Sequence, residues 1–283
     1  NFTRYRYDPS NPNNISSNQV RDFAEDNFGN IWIGTFTGLN KYNPISGKFE
    51  VYARNPLPGS MTHSSVFPIY KDRQGTIWLG TYYGGVNYFN PETDLFTVYT
   101  ANNARNDCLN YPFVGKMVED KDDNVWICTE GGGLHFFDRK TKTFTYFMAD
   151  ENRNSIAHNN LKAIAYSPER NKLYIGTHTG GLSIYDIKNK KFKNPYFEDP
   201  SYAVIAGDRI NQMRIYNDEL ICTGPKGIFK MNLYTEKVSP LFKSGKYYGN
   251  TCFLIDSKGY IWLAYGKGVW KINLENEEDK VQY

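Results

Sequence analysis

One sequence unit recurs along the chain, and this recurrence restricts the possible folds more than any other feature does. The stretch DNFGNIWIGT at residues 26–35 returns at 72–81 and 120–129, with degenerate copies at 171–177, 218–223 and 256–264. Each copy has one aromatic or apolar anchor, and successive anchors are 42 to 48 residues apart. The six anchors are Trp32, Trp78, Trp126, Tyr174, Leu220 and Trp262. A period in this range predicts six copies of one structural unit.

Each unit contains four short β-prone runs separated by turn residues. In the first unit the runs cover residues 20–25, 31–35, 38–42 and 48–52, here called strands a to d. An Asp-x-x-Gly turn joins a to b, glycine joins b to c, and Asn-Pro joins c to d. No segment shows a sustained helical period, and 16% of the residues are β-favouring aromatics. The predicted fold is therefore an all-β β-propeller of four-stranded antiparallel blades.

The predicted organisation is a single β-propeller over residues 1–283, with six repeat units and a leading outer strand. The units cover approximately 13–52, 58–99, 106–147, 154–197, 208–242 and 248–283, and residues 1–9 match the outer strand of a preceding or closing blade. A closing strand would give six blades, whereas a truncated first blade would make this chain part of a seven-bladed propeller. Residues 281–283 are an alternative outer strand for the last blade, so the sequence leaves the blade number open.

The repeated residues have packing explanations. The aromatic anchors are expected to fill the space between adjacent blades as structural residues. Two residues after each anchor only small side chains occur, which indicates close approach between sheets. These small residues are Gly34, Gly80, Cys128, Gly176, Cys222 and Ala264. Asp26, Asp72 and Asp256 are expected to hydrogen-bond the backbone of their own turns.

Charge and cysteine spacing argue against several function classes. The net charge is +3 with scattered basic residues, so neither nucleic acid nor a membrane surface is expected to bind. The cysteines at 108, 128, 222 and 252 lack C-x-x-C spacing and are expected to be small buried hydrophobes. No metal is predicted at the acidic run 120–123, because it lacks the calcium-loop pattern. No cofactor is predicted. No apolar stretch reaches bilayer-spanning length, and any export signal or membrane helix is expected outside this chain.

The repeat also carries a recognisable motif. The pattern D-x-x-G-x-(I/V)-W-(I/L)-G-T-x-x-G follows an N-x-x-S-(I/M)-x-(S/H)-x-x-V loop and precedes Y-(N/D)-P-x-(S/T)-x-x-F-x-x-Y, most plainly at 13–52 and 58–99. This combination resembles the two-component regulator propeller repeat over nearly the whole chain. The resemblance implies the periplasmic sensor region of a Bacteroidetes hybrid two-component system. Such proteins follow two propellers with a β-sandwich, a membrane helix, a histidine kinase, a receiver and a helix-turn-helix domain.

The same resemblance implies a function for the chain. It implies a non-enzymatic, ligand-sensing domain in a parent chain that is a histidine kinase. The implied ligand is a glycan-derived oligosaccharide, and the implied output is transcription of polysaccharide-utilisation genes. The implied partners are a second propeller and the membrane-proximal domain of the parent chain, with a homodimer of the intact sensor as a further expectation.

The d-to-a loops and the b-to-c turns form the face where ligand binding is expected. The loops are long and variable, whereas the a-to-b and c-to-d turns are short and uniform, and variable loops on a rigid scaffold commonly carry recognition. Aromatic rings stack on sugars, while charged and imidazole groups bond hydroxyls and acid groups. The expected ligand-binding residues are His63, Tyr82, Tyr83, Arg105, Tyr111, Glu130, Arg153, His158, His178, Arg209 and Tyr265.

Two other functions stay open at the level of sequence. A protein–protein interaction propeller would expose a flat aromatic patch that binds no sugar. A propeller glycan lyase or hydrolase is the weaker alternative, because a glycosidase needs two converging carboxylates, and Glu130, Asp150 and Asp208 come from different units. No catalytic residue is predicted, since the chain has no G-x-S-x-G, H-E-x-x-H or phosphate-cradling motif.

Overall fold

The structure is a computed structural model that describes residues 3–90, 93–102, 105, 107–151, 154–195, 202, 205, 209–225, 227–243, 252–265, 268–276 and 278–283. For residues 242, 243 and 265 it describes the backbone alone. Over these residues 24 strands form six four-stranded antiparallel sheets, and in each sheet the strand order follows the chain. The predicted all-β class with six propeller blades is therefore confirmed. The chain divides into two compact units, which meet in sequence at Tyr146 and Phe147.

The first unit contains the first three blades, apart from the last residue of the third. The first blade comprises β1 (Val20–Glu25), β2 (Ile31–Thr35), β3 (Leu39–Asn43) and β4 (Lys48–Tyr52). The second comprises β5 (Val66–Lys71), β6 (Ile77–Thr81), β7 (Gly85–Asn90) and β8 (Leu95–Tyr99). The third comprises β9 (Val114–Glu119), β10 (Val125–Thr129), β11 (Leu134–Asp138) and β12 (Thr143–Phe147).

The second unit contains the other three blades. The fourth blade comprises β13 (Leu161–Ser167), β14 (Lys172–Thr177), β15 (Leu182–Asp186) and β16 (Lys191–Lys193). The fifth comprises β17 (Gln212–Tyr216), β18 (Glu219–Gly224), β19 (Gly227–Asn232) and β20 (Val238–Lys243). The sixth comprises β21 (Cys252–Ile255), β22 (Tyr260–Tyr265), β23 (Gly268–Asn273) and β24 (Lys280–Gln282). The strands of each blade correspond to the predicted runs a to d.

The anchor residues lie on the second strand of their blades, and a turn aspartate holds each tryptophan. The Asp carboxylate accepts backbone N–H bonds within its own a-to-b turn, as the sequence predicts; Asp26, for example, accepts from Asn30 at 2.9 Å. It also accepts the indole Nε1–H of the tryptophan six residues later, at 2.8–2.9 Å, which the sequence analysis did not foresee. The pairs are Asp26–Trp32, Asp72–Trp78, Asp120–Trp126 and Asp256–Trp262. Tyr174 is a fully buried anchor as well.

Within each unit, apolar core lies between successive blades. A Cβ added at Gly34 would lie 2.8 Å from the Val66 carbonyl oxygen at the start of β5. A Cβ at Gly80 would lie 2.8 Å from Val114 at the start of β9. These distances are too short for any side chain, so the first strand of the next blade packs directly on the glycine. The predicted close approach between sheets is thereby confirmed at both positions.

The two ends of the chain differ from the expectation that residues 1–9 form an outer strand. Residues 3–9 form no strand, and Tyr5 packs on the first blade instead, with its ring centroid 5.1 Å from Tyr42 and 5.5 Å from Phe49. The sixth blade has its own outer strand, β24, which pairs with β23. The described residues therefore match the alternative in which the C-terminal residues complete the last blade. The single domain over residues 1–283 stays a prediction.

The cysteine expectation is correct for three of the four residues. Cys108, Cys128 and Cys222 are buried, whereas Cys252 is exposed. The prediction is wrong for Cys252 because alternation along β21 buries Phe253 and turns its neighbours outward. Within the described part of the chain, no helix has the length and apolar character that crossing a bilayer requires.

Candidate functional site

Buried threonines fix the turns between the second and third strands. Each Oγ1 donates to the carbonyl oxygen of the glycine that ends the turn, at 2.8–3.0 Å. The pairs are Thr35–Gly38, Thr81–Gly85, Thr129–Gly133 and Thr177–Gly181. The next residue then bonds back to the loop: the N–H of Tyr82 donates to Ser65, and that of Glu130 to Phe113, both at 3.1 Å. Tyr82 and Glu130 therefore extend from rigid turns.

A second set of buried polar side chains, here called the clamp residues, holds the d-to-a loops. They lie near the start of the third strand and accept a loop N–H at 2.7–3.3 Å. The bonds run from Ser16 to Asn40, Thr62 to Asn87, Asn110 to His135, and Ala157 to Ser183. The residue that follows each donor is Ser17, His63, Tyr111 or His158. The clamp residues therefore position His63, Tyr111 and His158, which are three of the expected ligand-binding residues.

Two predicted histidines shape their own loops. His63 Nδ1 accepts the Ser65 N–H at 3.0 Å, and His158 Nδ1 accepts the Asn160 N–H at 2.9 Å. An accepting Nδ1 places the proton of a neutral imidazole on Nε2. Partial burial, followed by the charge of Arg54, lowers the pKa of His63 below its usual value. His63 therefore presents an Nε2–H donor at neutral pH.

Irregular pairing at the start of two first strands redirects Arg21 and Phe67. The β1–β2 register shifts between Val20 and Asp22, and the β5–β6 register shifts between Val66 and Ile69. A β-bulge re-aims the side chain of the extra residue. The Arg21 guanidinium donates to Ser65 Oγ at 3.0 Å and lies 5.4 Å from the Phe67 ring centroid. The bulges thus bring a cation and an aromatic ring of neighbouring blades together.

A cavity of about 110 Å³ opens beside these bulges in the first unit. Its principal lining residues are Arg21, Ser65, Phe67, Tyr82, Phe113 and Glu130. The lining combines a guanidinium, a carboxylate, three hydroxyl groups and three aromatic rings. Glu130 is the one carboxylate among the described lining residues, so the cavity lacks the carboxylate pair that glycoside hydrolysis uses.

An aromatic cluster, formed by Tyr82, Tyr83, Tyr111 and Phe113, adjoins the cavity. The Phe113 centroid lies 4.5 Å from Tyr82, 4.0 Å from Tyr83 and 6.0 Å from Tyr111. Tyr82 is 45% exposed and Tyr83 61% exposed. His63 lies at the edge of the cluster, 6.2 Å from Tyr82. The structure therefore brings together five predicted residues, namely His63, Tyr82, Tyr83, Tyr111 and Glu130.

The other predicted residues lie in different surroundings. Arg105 is exposed and makes a bidentate pair with Asp107 of its own loop, with Nε 2.8 Å from Oδ1. In the second unit, the backbone N–H of His178 donates to the Asn160 carbonyl oxygen. The backbone N–H of the same Asn160 donates to His158 Nδ1. Arg209 directly precedes Ile210, whose N–H donates to Thr177 at 3.0 Å. Arg153 and the side chain of Tyr265 lie outside the described residues.

Ser65, Thr81 and Val114 line the cavity and were not predicted as site residues. The sequence also did not predict the larger side chains of the lining, which belong to Arg21, Phe67 and Phe113. Each lies within one residue of the apolar position that begins a first strand. A regular strand pattern assigns residues at this position to the scaffold, so they were not considered for binding. The signal that could have found them is a charged or aromatic residue next to the apolar start of the strand. For metals, no group of three or more ligating side chains occurs in the described ranges.

Comparison with solved structures gives relatives of the same fold. The extracellular domain of a protein described as a hybrid two-component system, from B. thetaiotaomicron, has a TM-score of 0.77 and 24% identity, covering 95% of this chain and 35% of that chain. A second such domain from this organism has a TM-score of 0.53 and 21% identity, covering 99% and 46%. Virginiamycin B lyase from Staphylococcus aureus has a TM-score of 0.68 and 12% identity, covering 94% and 84%. At these identities the likeness shows the fold alone.

Comparison by sequence gives a match to a family model and none to a curated protein. Comparison with curated protein sequences gives no significant match. This chain spans less than half the length of the two B. thetaiotaomicron structures. The family model described as the two-component regulator propeller matches residues 14–37 and 60–83. Both matched segments include a first-strand bulge and an anchor tryptophan. The first two repeat units of this chain are therefore similar to the two-component regulator propeller repeat.

Proposed function

We propose that the chain is the periplasmic ligand-sensing propeller of a hybrid two-component sensor and detects a glycan-derived oligosaccharide. The observation that carries the proposal is the aromatic cluster beside the polar cavity. Tyr82 and Tyr83 expose ring surface and pack against Phe113. Arg21 and Glu130 add directional polar groups within the same cavity.

This chemistry suits sugars because a pyranose ring has an apolar C–H face and a rim of hydroxyls. Aromatic side chains stack on the apolar face, and a few fixed polar groups set the orientation of the ligand. The Thr81 turn bond and the Asn87 clamp bond position the cluster before any ligand arrives. A preformed site loses less conformational entropy on binding. The site therefore favours a rigid, ring-shaped ligand over a flexible apolar one.

The signalling part of the proposal follows from the repeat family and from the fold shared with sensor extracellular domains. A ligand shifts a receptor through its different affinities for two arrangements. The blades are stiff, so the two arrangements are expected in the packing of the parent chain's other domains. The output is the activity of the parent histidine kinase and transcription of polysaccharide-utilisation genes.

Calorimetric titration with a panel of defined neutral and acidic oligosaccharides tests the binding site. We expect at least one to bind saturably, and Tyr83→Ala to weaken that binding about tenfold, since a lost stacking contact costs about 1 kcal/mol or more. Phe28→Ala is the matched control, because Phe28 is 80% exposed in an a-to-b turn. A folded chain that binds no member of the panel would contradict the proposal, and release of shortened glycans would favour a lyase or hydrolase.

A further inference from the structure

We propose that the cavity is a subsite for the acidic group of a sugar, with Arg21 as its anion-binding residue, so that the ligand is an anionic oligosaccharide. This inference rests on the proposed function and narrows its ligand class. It concerns a residue that lies on a first strand and not in any of the loops or turns where binding was expected.

The charge of Arg21 has no acidic partner among the described residues. A guanidinium has five N–H donors, and the bond to Ser65 Oγ is the hydrogen bond that Arg21 makes. Two other cations of the first unit do have carboxylate partners: Lys116 pairs with Asp22 at 2.8 Å, and Arg105 pairs with Asp107. Arg21 therefore keeps several donors for a ligand.

Arg21 is also held in position. Ser65, which accepts its hydrogen bond, is 2% exposed. Two cations lie near the Phe67 ring, with the Arg21 guanidinium at 5.4 Å and Lys116 Nζ at 4.7 Å from its centroid. Asp22 pairs with Lys116 at 2.8 Å. Arg21 is exposed, and its bond to Ser65 and its contact with Phe67 reduce the side-chain entropy that it loses when it binds an oxyanion.

The remaining lining fits a sugar better than a free inorganic anion. Tyr82 and Phe113 supply ring surface that a bare phosphate or sulfate would not use. Glu130 lies in the same lining, and its carboxylate can accept hydroxyl hydrogens while it repels a second anion. A cavity must offer about 10–15 Å³ to hold one water molecule. The cavity of about 110 Å³ is several times larger, so it accommodates roughly one sugar residue. The fit is to a uronate or sulfated sugar, with the acid at Arg21 and hydroxyls at Glu130.

Calorimetry with matched ligands tests this inference. The probes are an oligogalacturonide, the same oligosaccharide as its methyl ester, a sulfated carrageenan tetrasaccharide without uronate, and a neutral galacto-oligosaccharide. We expect the free acid or the sulfated probe to bind at least tenfold more tightly than its neutral counterpart. Arg21→Gln is expected to remove this preference by weakening anionic binding about 10- to 100-fold, with Arg21→Lys between the two.

Arg6→Gln is the matched control, because Arg6 is an exposed arginine of the N-terminal segment. Melting temperatures of all variants verify that they are folded, and 0.5 M NaCl is expected to weaken anionic binding selectively. If each anionic probe binds no more tightly than its neutral counterpart, or if the preference survives in Arg21→Gln, the inference is overturned while an oligosaccharide sensor stays intact. If no probe binds to the folded chain, both the inference and the proposed function fail.

Discussion

Among the clamp residues His135 is the one that titrates, since the equivalent positions hold Asn40, Asn87 and Ser183. Burial lowers the pKa of His135 to about 4. In the unfolded chain a histidine has a pKa of about 6.5. Between these values the unfolded chain binds a proton that the folded chain does not. The free energy of unfolding contributed by this residue is therefore constant above about pH 6.5 and decreases as the pH falls towards 4.

Replacing His135 by asparagine tests this effect at a single residue. Asparagine keeps a hydrogen-bond acceptor, as Asn40 and Asn87 do, and does not titrate. Between pH 7 and pH 5 we expect the wild-type chain to lose about 2 kcal/mol more unfolding free energy than His135→Asn. Urea denaturation at the two pH values measures the difference. Equal losses in both proteins would show that His135 does not control the acid response.

At the scale of elements, the clamp residues join each d-to-a loop to the sheet beneath it. Asn87 Oδ1 accepts the Thr62 N–H at 3.1 Å, and its Nδ2 donates to Thr62 Oγ1 at 3.0 Å. Asn87 is fully buried, so no solvent replaces these bonds when it is removed. The loop that carries His63 therefore depends on one side chain of β7.

Asn87→Leu is expected to destabilise the protein by about 1–3 kcal/mol, because it leaves the Thr62 N–H without its acceptor. Hydrogen exchange should become faster in residues 60–65. The loop at 107–113 is the internal control, since His135 holds it independently. Unchanged exchange at 60–65 would show that the clamp is not what orders the loop. Oligosaccharide binding is also expected to weaken, because His63 lies beside Tyr82.

At the scale of the whole molecule, charged groups connect the a-to-b turn ends of the second and third blades. Arg139 NH2 lies 2.8 Å from Asp72 Oδ2 and 3.3 Å from Glu119 Oε1. Arg73 Nε lies 3.2 Å from the other Glu119 oxygen. Asp72 is 3% exposed and Glu119 6% exposed, so their charges need these partners. This network lies in the turns away from the cavity and belongs to the scaffold.

Arg139→Met is expected to lower the unfolding free energy by about 3–5 kcal/mol, because it leaves two buried carboxylates with too little compensating charge. Lys140→Met is the matched control, since Lys140 is the adjacent exposed cation and should change stability by less than about 0.5 kcal/mol. Chemical denaturation of the three proteins gives both values. Similar stability of the two variants would show that this charge network does not stabilise the scaffold.

The repeat by itself determined the blades, their turns and the small residues between them. Asp-x-x-Gly turns, alternating strands and a constant period are properties of short stretches, so they can be predicted without knowing what packs against them. Tyr82 and Tyr83 could be assigned to an exposed b-to-c turn for the same reason. The aspartate–indole bonds were not predicted, although the six-residue spacing between Asp26 and Trp32 recurs in three other repeat units.

Only the tertiary structure decided which residues share the cavity. Arg21 and Ser65 are 44 positions apart in sequence, and their contact depends on how two blades pack. The bulges that redirect Arg21 and Phe67 are shifts of register between paired strands, which a period of two within one strand does not reveal. The outer strand of the last blade was decided in the same way. Local patterns specify elements, whereas pairing and packing between distant segments specify the site.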